Sequence, residues 1–292
     1  MKVPLLGGAQ GWVASRARIR WFLAAASILG LCAATAVFGQ FRSRRQQVFD
    51  RGDVPRWEVD PQFSRDVFTF VRIRYNSSRG WGRWEKWTID YPDSDLNFSF
   101  RLQQLTSLKV DPDGKIFGLT DKELFDYPFI YIVEPGDMVL ENDEVTSLRR
   151  YLLNGGFLMV DDFWGEREWD NFYREIKRVF PDREPINLPM DHPVFHCVFP
   201  LKMEKNKLQV PNFQLGEESQ YHGVTWERSD AQEVHFRAIF DDKGRMMVMI
   251  CHNTDNGDGW EREGVYQYYF REFSEKKAYP LGINIVFYAM TH

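Results

Sequence analysis

Cysteine is scarce in this 292-residue sequence, which contains only Cys32, Cys197 and Cys251. Cys32 lies inside a long apolar stretch, so the folded body can hold at most one disulfide, between the other two. The sequence does not show whether their Cα atoms approach closely enough for that bond. Buried free cysteine is a common small apolar side chain, and the sequence therefore favours two free thiols.

Signatures of several enzyme classes are missing as well. The sequence has no Walker loop, no dinucleotide-binding glycine fingerprint, no zinc-finger spacing and no Gly-x-Ser-x-Gly elbow. It also has no internal repeat and no low-complexity segment. These absences exclude the commonest sequence routes to nucleotide binding and serine-based hydrolysis.

A basic surface is not expected on the folded body. The whole chain has a net charge of −5, and its first 40 residues hold four basic residues but no Asp or Glu. The rest of the chain therefore carries a net charge of −9. Phosphate binding needs a basic face that releases counterions, so this acidic body argues against nucleic acid as a partner.

The N-terminal part contains one long apolar stretch. Residues 21–41 carry no charge, and they follow a basic N-terminus, residues 1–20, that ends with Arg16, Arg18 and Arg20. An apolar run of about 20 residues spans a bilayer, whereas a cleavable signal has an apolar core of roughly 7–15 residues. The length of the run predicts a membrane anchor.

Removal of this stretch stays open, because Ala34, Ala36 and Gly39 offer small residues with the spacing that signal peptidase recognises. Arginines flank the stretch on both sides, so their count does not set the orientation. The short N-terminus favours a body outside the cytoplasmic membrane. We expect a protein of the cell envelope, anchored in the inner membrane or secreted to the periplasm.

The remaining sequence predicts one α/β domain. Residues 42–65 are polar and contain Gly52, Pro55 and Pro61, as in a linker, and the domain is expected to span residues 66–292. Short apolar strands alternate with helices, which predicts a mainly parallel sheet covered on both faces. The predicted strands are 67–75, 129–133, 157–160 and a hairpin of 234–241 with 246–252; the predicted helices are 96–107, 142–154, 168–180 and 280–290.

Several stretches resemble a known family when they are read in order: FTFVRIRY, DYPDSDLNFSFRLQQLT, YPFIYIVEPG, LRRYLLNGGFLMVDDFWG, DHPVF and GINIVFYAMTH. Together they resemble bacterial domain-of-unknown-function family 4159, which is similar to the ThuA and class I glutamine amidotransferase-like superfamily. The resemblance covers most of residues 68–292 and implies a flavodoxin-like three-layer sandwich. It implies no reaction, since the family has none established.

The turn that follows the 157–160 strand decides what the resemblance implies for chemistry. In the amidotransferases this turn carries a nucleophilic cysteine, but here it reads DDFWG, residues 161–165. Cys197 and Cys251 lie too far along the chain to occupy it. Glutamine hydrolysis by that route is therefore not expected.

Asp161, Asp162 and His192 are the candidate catalytic residues. The two carboxylates follow a predicted parallel strand, where they could bind a divalent metal, share acid–base work or cap the next helix. Strand alternation predicts that only one of them faces the crevice. His192 lies in a His-Pro element similar to that of ThuA-like proteins and could act as a base or ligand if it faced them, although a lone histidine is more often structural.

Two further groups are candidate binding residues. Trp81, Trp84 and Trp87 recur at every third position of one loop, which could grip a sugar or a membrane interface, or fold back on the domain. The stretch HNTDNGDGWERE is rich in oxygen ligands but misses the calcium-loop spacing, so a polar turn is the simpler interpretation. The expected binding residues are completed by Trp164, His252, Asp255, Asp258 and Trp260.

These observations favour a non-catalytic binding or assembly module of the cell envelope, with an envelope protein as its partner. No metal or cofactor is predicted. The alternative is an envelope hydrolase or carbohydrate-active enzyme that uses Asp161 or Asp162 with His192. Convergence of His192, Asp162 and the loop after residue 252 in one pocket would favour the enzyme.

Overall fold

The computed structural model describes residues 51–63, 66–79 and 85–292. The predicted membrane segment, residues 21–41, and the tryptophans Trp81 and Trp84 lie outside the described residues. Within the described ranges, no helix is both long and apolar enough to cross a bilayer.

A mainly parallel seven-stranded sheet lies at the centre of the described domain, in the order β3-β1-β4-β6-β9-β8-β7, and β2 pairs with β5 separately. The first five strands in that order are parallel, whereas β8 is antiparallel to both of its neighbours. The strands are β1 (Val71–Arg74), β2 (Asn76–Ser77), β3 (Lys115–Gly118), β4 (Phe129–Val133), β5 (Met138–Val139), β6 (Phe157–Asp161), β7 (Ile186–Asn187), β8 (His235–Phe240) and β9 (Met246–His252).

The order of the parallel strands determines where a crevice opens. Numbered along the chain, the five strands lie in the order 2-1-3-4-5, which is one of the two common orders of doubly wound sheets. The direction of winding reverses between β1 and β4. In such sheets ligands bind beyond the carboxyl ends of the strands, beside this reversal.

Helices cover both faces of the sheet. Side chains of α2 and α3 form one apolar core with one face, and side chains of α1, α5 and α7 form a second core with the other. The helices are α1 (Asp93–Leu105), α2 (Asn142–Leu153), α3 (Gly165–Val179), α4 (Phe213–His222), α5 (Asn256–Glu261), α6 (Gln267–Tyr269) and α7 (Tyr279–Thr291), with a π-helix, Phe270–Ala278, joining the last two. Six 3₁₀ turns complete the described elements: Pro61–Phe63, Lys86–Thr88, Lys122–Asp126, Pro135–Asp137, Pro193–Phe195 and Lys205–Leu208.

Local sequence explains the central elements. All five residues of β4 are buried, as a continuous apolar run requires in a strand covered on both faces. A reciprocal capping box between Glu141 and Glu144 begins α2, and Gly155, in the left-handed conformation, follows its end. The structure thus confirms the predicted α/β domain with a mainly parallel sheet, and it confirms the predicted β8–β9 hairpin.

The start of α1 corrects one prediction. The polar residues Asp93, Ser94 and Asp95 predict the N-terminal cap of a helix that begins at Leu96, but they lie in the first turn of the helix and do not precede it. Asp95 is buried and forms an ion pair with Arg72 of β1, and Asn97 donates to the carbonyl of Trp260. The predicted capping residues therefore bind other elements of the domain, because α1 packs directly on the sheet.

Both described cysteines are free thiols. Cys251 is buried within β9, and Cys197 lies on the surface, where its thiol donates to the carbonyl of Asn284. The side chain of Asn284 is fully buried and accepts hydrogen bonds from the backbone N–H groups of Val198 and Phe199. An amide of α7, and not a disulfide, therefore anchors the loop that carries Cys197.

Candidate functional site

Loops from three strands bring carboxylates together at the carboxyl edge of the sheet. Asp161 is the last residue of β6 and Asp162 follows it, residues 253–258 follow β9, and Asp90 comes from the connection between β1 and α1. The backbone N–H of Asp162 donates to the carbonyl of Thr254, which joins the loops after β6 and β9. We define the acidic cleft as Asp90, Asp161, Asp162, Asp255, Asp258 and Glu261.

Backbone geometry is unusual at this edge. Asp90, Glu134, Asp162 and Asn253 all have positive φ values, of 62°, 46°, 57° and 62° respectively. Non-glycine residues rarely adopt this conformation, and such residues concentrate at functional sites. At Asp162 the left-handed backbone ends the alternation of the strand, so that both adjacent carboxylates reach the loop after β9. Both carboxylates therefore contact residues of that loop, although Asp161 has no exposed surface.

Arg72 fixes the loop that presents Asp90. Its side chain is fully buried and forms an ion pair with Asp95 at 2.5 Å. The same guanidinium donates to the carbonyls of Trp87 and Ile89, at 3.1 and 2.8 Å. Because these contacts lie on both sides of Asp90 in the chain, one buried side chain of β1 determines where that carboxylate stands.

Asp161 holds the start of α5. Its carboxylate accepts from the backbone N–H and the side-chain amide of Asn256, at 2.8 and 2.7 Å, and from the N–H of Gly257 at 3.1 Å. The hydroxyl of Tyr131 donates to it at 3.3 Å. Burial raises the pKa of Asp161 to about 7, although these hydrogen bonds act in the opposite direction. We assign Asp161 a positioning role, since its oxygens are already occupied by α5 and β4.

Asp90, Asp162 and Asp255 form the first triad of the acidic cleft. Each has one carboxylate oxygen within 4.8 Å of an oxygen from each of the other two. Burial raises the pKa of all three well above the ordinary range, and the neighbouring carboxylates raise it further. The fold has therefore gathered three carboxyl groups away from water, where each is costly to ionise without a nearby cation.

Nearby basic residues are paired with acids outside this triad. Arg72 binds Asp95, Lys86 binds Glu134, and Arg262 contacts Glu261 at 2.7 Å. In the described part of the chain, no ion pair within 4.0 Å involves Asp90, Asp162 or Asp255. The carboxylates of this first triad therefore have no direct counter-ion in the described part of the protein.

Two oxygen atoms in this region also lack hydrogen-bond partners among the residues that the structure describes. Oδ2 of Asp90 is buried without a partner, and so is Oδ1 of Asn256, a residue with no exposed surface. The side-chain nitrogen of Asn256 donates to Asp161, so Asn256 is bonded to an acid of the cleft. Buried polar atoms normally have a partner, and an orphaned one calls for an explanation such as a bound ion.

Asp258 and Glu261 extend the cleft along α5. One oxygen from each lies within 4.8 Å of the other and of an oxygen of Asp90, so Asp90 belongs to two carboxylate triads. Burial and the neighbouring Asp258 raise the pKa of Glu261 to about 8. The backbone N–H of Phe213 donates to Asp258 at 2.6 Å.

Gly257 allows Asp90 to approach α5. A methyl group on its Cα would overlap Oδ2 of Asp90 and lie 3.1 Å from the hydroxyl oxygen of Tyr131. Glycine is therefore required here for space, since a side chain would occupy the region where the unpartnered oxygen lies.

Most of the described domain matches the model of one known family. Residues 69–290 match the family model described as Domain of unknown function (DUF4159). The chain belongs to the DUF4159 family. The matched segment contains the whole acidic cleft, and no curated protein matches the chain significantly.

The predicted base of the DUF4159 domain lies away from the cleft. His192 begins the 3₁₀ turn Pro193–Phe195, and its Nδ1 accepts from the N–H of Val194. Its ring lies 6.3 Å from that of Phe240, which pairs with Met246 at the amino end of β9. The carboxylates stand at the opposite end of that strand, so the structure does not bring His192 to Asp161 or Asp162.

The predicted binding residues separate into cleft and core. Asp255 and Asp258 line the cleft, and the indole N–H of Trp164 donates to Asp162 at 3.0 Å. Trp260 is fully buried against Phe98. The two other described candidates are also turned away: His252 is buried beside Phe163 with its Nε2 bonded to the carbonyl of Gly165, and Trp87 is half-buried with its indole N–H bonded to Glu85.

Asp90 and Glu261 are not among the binding residues expected from the sequence. Asp90 sits in the stretch TIDYP, which has no motif and is separated from Asp161 by 70 positions. Its place depends on the buried guanidinium of Arg72, which binds two backbone carbonyls and the side chains of Ser94 and Asp95. Glu261 does belong to the oxygen-rich stretch after β9. It lies three residues after Asp258, and a helix predicted there would have placed both side chains on one face.

Proposed function

We propose that this DUF4159 chain is a binding module of the bacterial cell envelope whose acidic cleft holds a divalent cation. The observation that supports this most strongly is the buried Oδ2 of Asp90, which has no hydrogen-bond partner among the described residues and lies in a triad of carboxylates that form no ion pair there. Hard cations such as Ca²⁺ prefer oxygen ligands at about 2.3–2.6 Å. Two oxygens on one such ion stand at most about 5 Å apart, and the 4.8 Å limit of the triads satisfies this.

Charge supports the same conclusion. A carboxylate removed from water is costly unless it is paired or coordinates a metal. Asp162 and Asp255 are only 7% and 4% exposed. A bound cation would neutralise them and would give the orphaned oxygen of Asp90 a partner. A cation site also needs its surrounding loops held in place. Asp161 and Arg72 do this, and the contacts that they make do not involve oxygens of Asp90, Asp162 or Asp255.

The envelope location is supported by the sequence. Residues 21–41 are long and apolar enough for an anchor, and the acidic remainder suits cations better than nucleic acid. An envelope protein is the partner that we propose for the assembled module, with carbohydrate as the alternative ligand. The described domain would then lie on the periplasmic side, with the cation helping to order the loops that a partner meets.

The relation to ThuA and amidotransferase-like proteins belongs to this proposal. It is supported by the strand order 2-1-3-4-5 and by the turn Asp161–Gly165, which joins a central strand directly to a helix. We infer a flavodoxin-like three-layer sandwich whose nucleophile position is occupied by carboxylates. An enzyme that pairs Asp161 or Asp162 with His192 is not favoured, because that imidazole lies at the other end of the sheet.

Thermal unfolding tests cation binding. The full-length chain, purified in a non-ionic detergent and stripped with EDTA, is expected to melt on the order of 5–10 °C higher when Ca²⁺ or Mn²⁺ is added at one hundred times its Kd. Asp90→Asn should lose this shift and should melt higher than the wild-type protein without cations, because one buried like charge is gone. Asparagine also tolerates the left-handed backbone at this position.

Asp170→Asn is the matched control, because Asp170 is exposed on α3. This variant should keep the full cation-induced shift. An equal melting temperature of the wild-type chain with and without each cation would contradict the proposal.

Protease accessibility tests the location. In intact spheroplasts that express the full chain, added protease should digest the α/β domain, because the cytoplasmic membrane does not shield it. A cytoplasmic marker protein in the same cells should survive. Complete protection of the domain, with digestion only after lysis, would place it in the cytoplasm and refute the envelope assignment.

A further inference from the structure

Asp90 has carboxylate neighbours on two sides. On one side are Asp162 and Asp255, from the loops after β6 and β9; on the other are Asp258 and Glu261, from α5. Residues three apart on a helix share a face, so Asp258 and Glu261 point in one direction. The carboxylate of Asp90 thus stands between two separate pairs of acids, and each pair supplies two further ligands.

The charges indicate how many cations the cleft can hold. Arg262 contacts Glu261 at 2.7 Å and approaches Asp258 at 4.0 Å, so it contributes one positive charge at the second pair. Fully ionised, the five carboxylates of the two triads carry five negative charges, of which one divalent cation and Arg262 would balance three. Two divalent cations with Arg262 would balance all five, and Asp161, the sixth acid of the cleft, is bonded to α5.

The unpartnered atoms are consistent with two ions. Oδ2 of Asp90 is buried and has no hydrogen-bond partner. Gly257 keeps the space beside that oxygen free of a side chain, and it belongs to α5, the helix that carries the second pair. Oδ1 of Asn256, in the first turn of the same helix, is also buried and has no hydrogen-bond partner among the described residues. The region of the cleft therefore contains two oxygens that the described part of the chain leaves unused.

We propose that Asp90 bridges two divalent cations, one held with Asp162 and Asp255 and the other with Asp258 and Glu261. This inference rests on the proposed function, since it assigns a second ion to the same cleft. The all-oxygen ligand set fits hard cations such as Mn²⁺, Mg²⁺ and Ca²⁺. A shared carboxylate sets two metals about 3.5–4 Å apart, as in two-metal sites.

Manganese binding tests the bridge. We expect the stripped full-length chain to bind two Mn²⁺ per molecule by elemental analysis after dialysis, with an exchange-coupled electron paramagnetic resonance spectrum. Asp255→Asn and Glu261→Gln should each lower the number to one and restore the uncoupled six-line spectrum, because each removes a ligand of one ion only. Asp90→Asn should lose both ions, while Asp170→Asn should keep two and the coupling.

The outcomes separate this inference from the proposed function. One Mn²⁺ per wild-type chain, or two without coupling, would overturn the bridge but leave the cation-binding module in place. No bound Mn²⁺, Mg²⁺ or Ca²⁺ would overturn both. Circular dichroism of each variant shows whether it folds, and the wild-type stoichiometry decides the bridge without any substitution.

Discussion

Arg72→Met is expected to lower the free energy of unfolding by about 3–5 kcal/mol, the range for removing one partner of a buried ion pair. Methionine occupies part of the same space, but Asp95, which is 5% exposed, would be left as an uncompensated charge. The carbonyls of Trp87 and Ile89 would lose their donor as well. The loss includes the loop of Asp90, so cation binding should fall together with stability.

Urea unfolding of the full-length chain, followed by tryptophan fluorescence, measures this loss. The matched control is Arg56→Met, because the Arg56 side chain is 67% exposed and pairs with Asp113 at the surface. A surface pair contributes about 0–1 kcal/mol, so this variant should unfold nearly as the wild-type protein does. Equal midpoints for the two variants would show that the contacts of Arg72 do not stabilise the fold.

The buried part of the sheet could be predicted from the sequence because its strands are continuous apolar runs. The residues FIYIV were predicted as a strand with the bounds that β4 has, and the hairpin was predicted from two β-rich runs around one turn. The edge strands β3 and β7 escaped prediction. They have four and two residues with no buried side chain, so neither carries an apolar pattern.

The cleft could be predicted only in part, for a different reason. Asp161, Asp162, Asp255 and Asp258 follow strands, and parallel strands bring their carboxyl ends to one edge. Asp90 follows no strand directly, and its position depends on a long-range contact with Arg72. Trp260 and His252 were predicted as binding residues because polar residues surround them in the sequence. Both side chains face inwards and pack in the core.

Gly257→Ala is expected to lower cation affinity at least about 100-fold, an effect of roughly 2.7 kcal/mol. The added methyl group would overlap Oδ2 of Asp90 and push that carboxylate away from its neighbours. Stability without cations should change little, because alanine is favoured over glycine inside a helix by about 0.5–1 kcal/mol and this offsets part of the crowding.

Isothermal titration of the stripped full-length variant with Mn²⁺ measures this loss, and Gly118→Ala is the matched control. A methyl group at Gly118 would meet its nearest atoms at ordinary distances of 3.6–3.9 Å, so this variant should bind Mn²⁺ as the wild-type protein does. Gly257→Ala changes no charge and removes no ligand, so a loss of affinity there would show that cation binding depends on the position of the Asp90 carboxylate. Unchanged affinity would mean that the cation binds elsewhere.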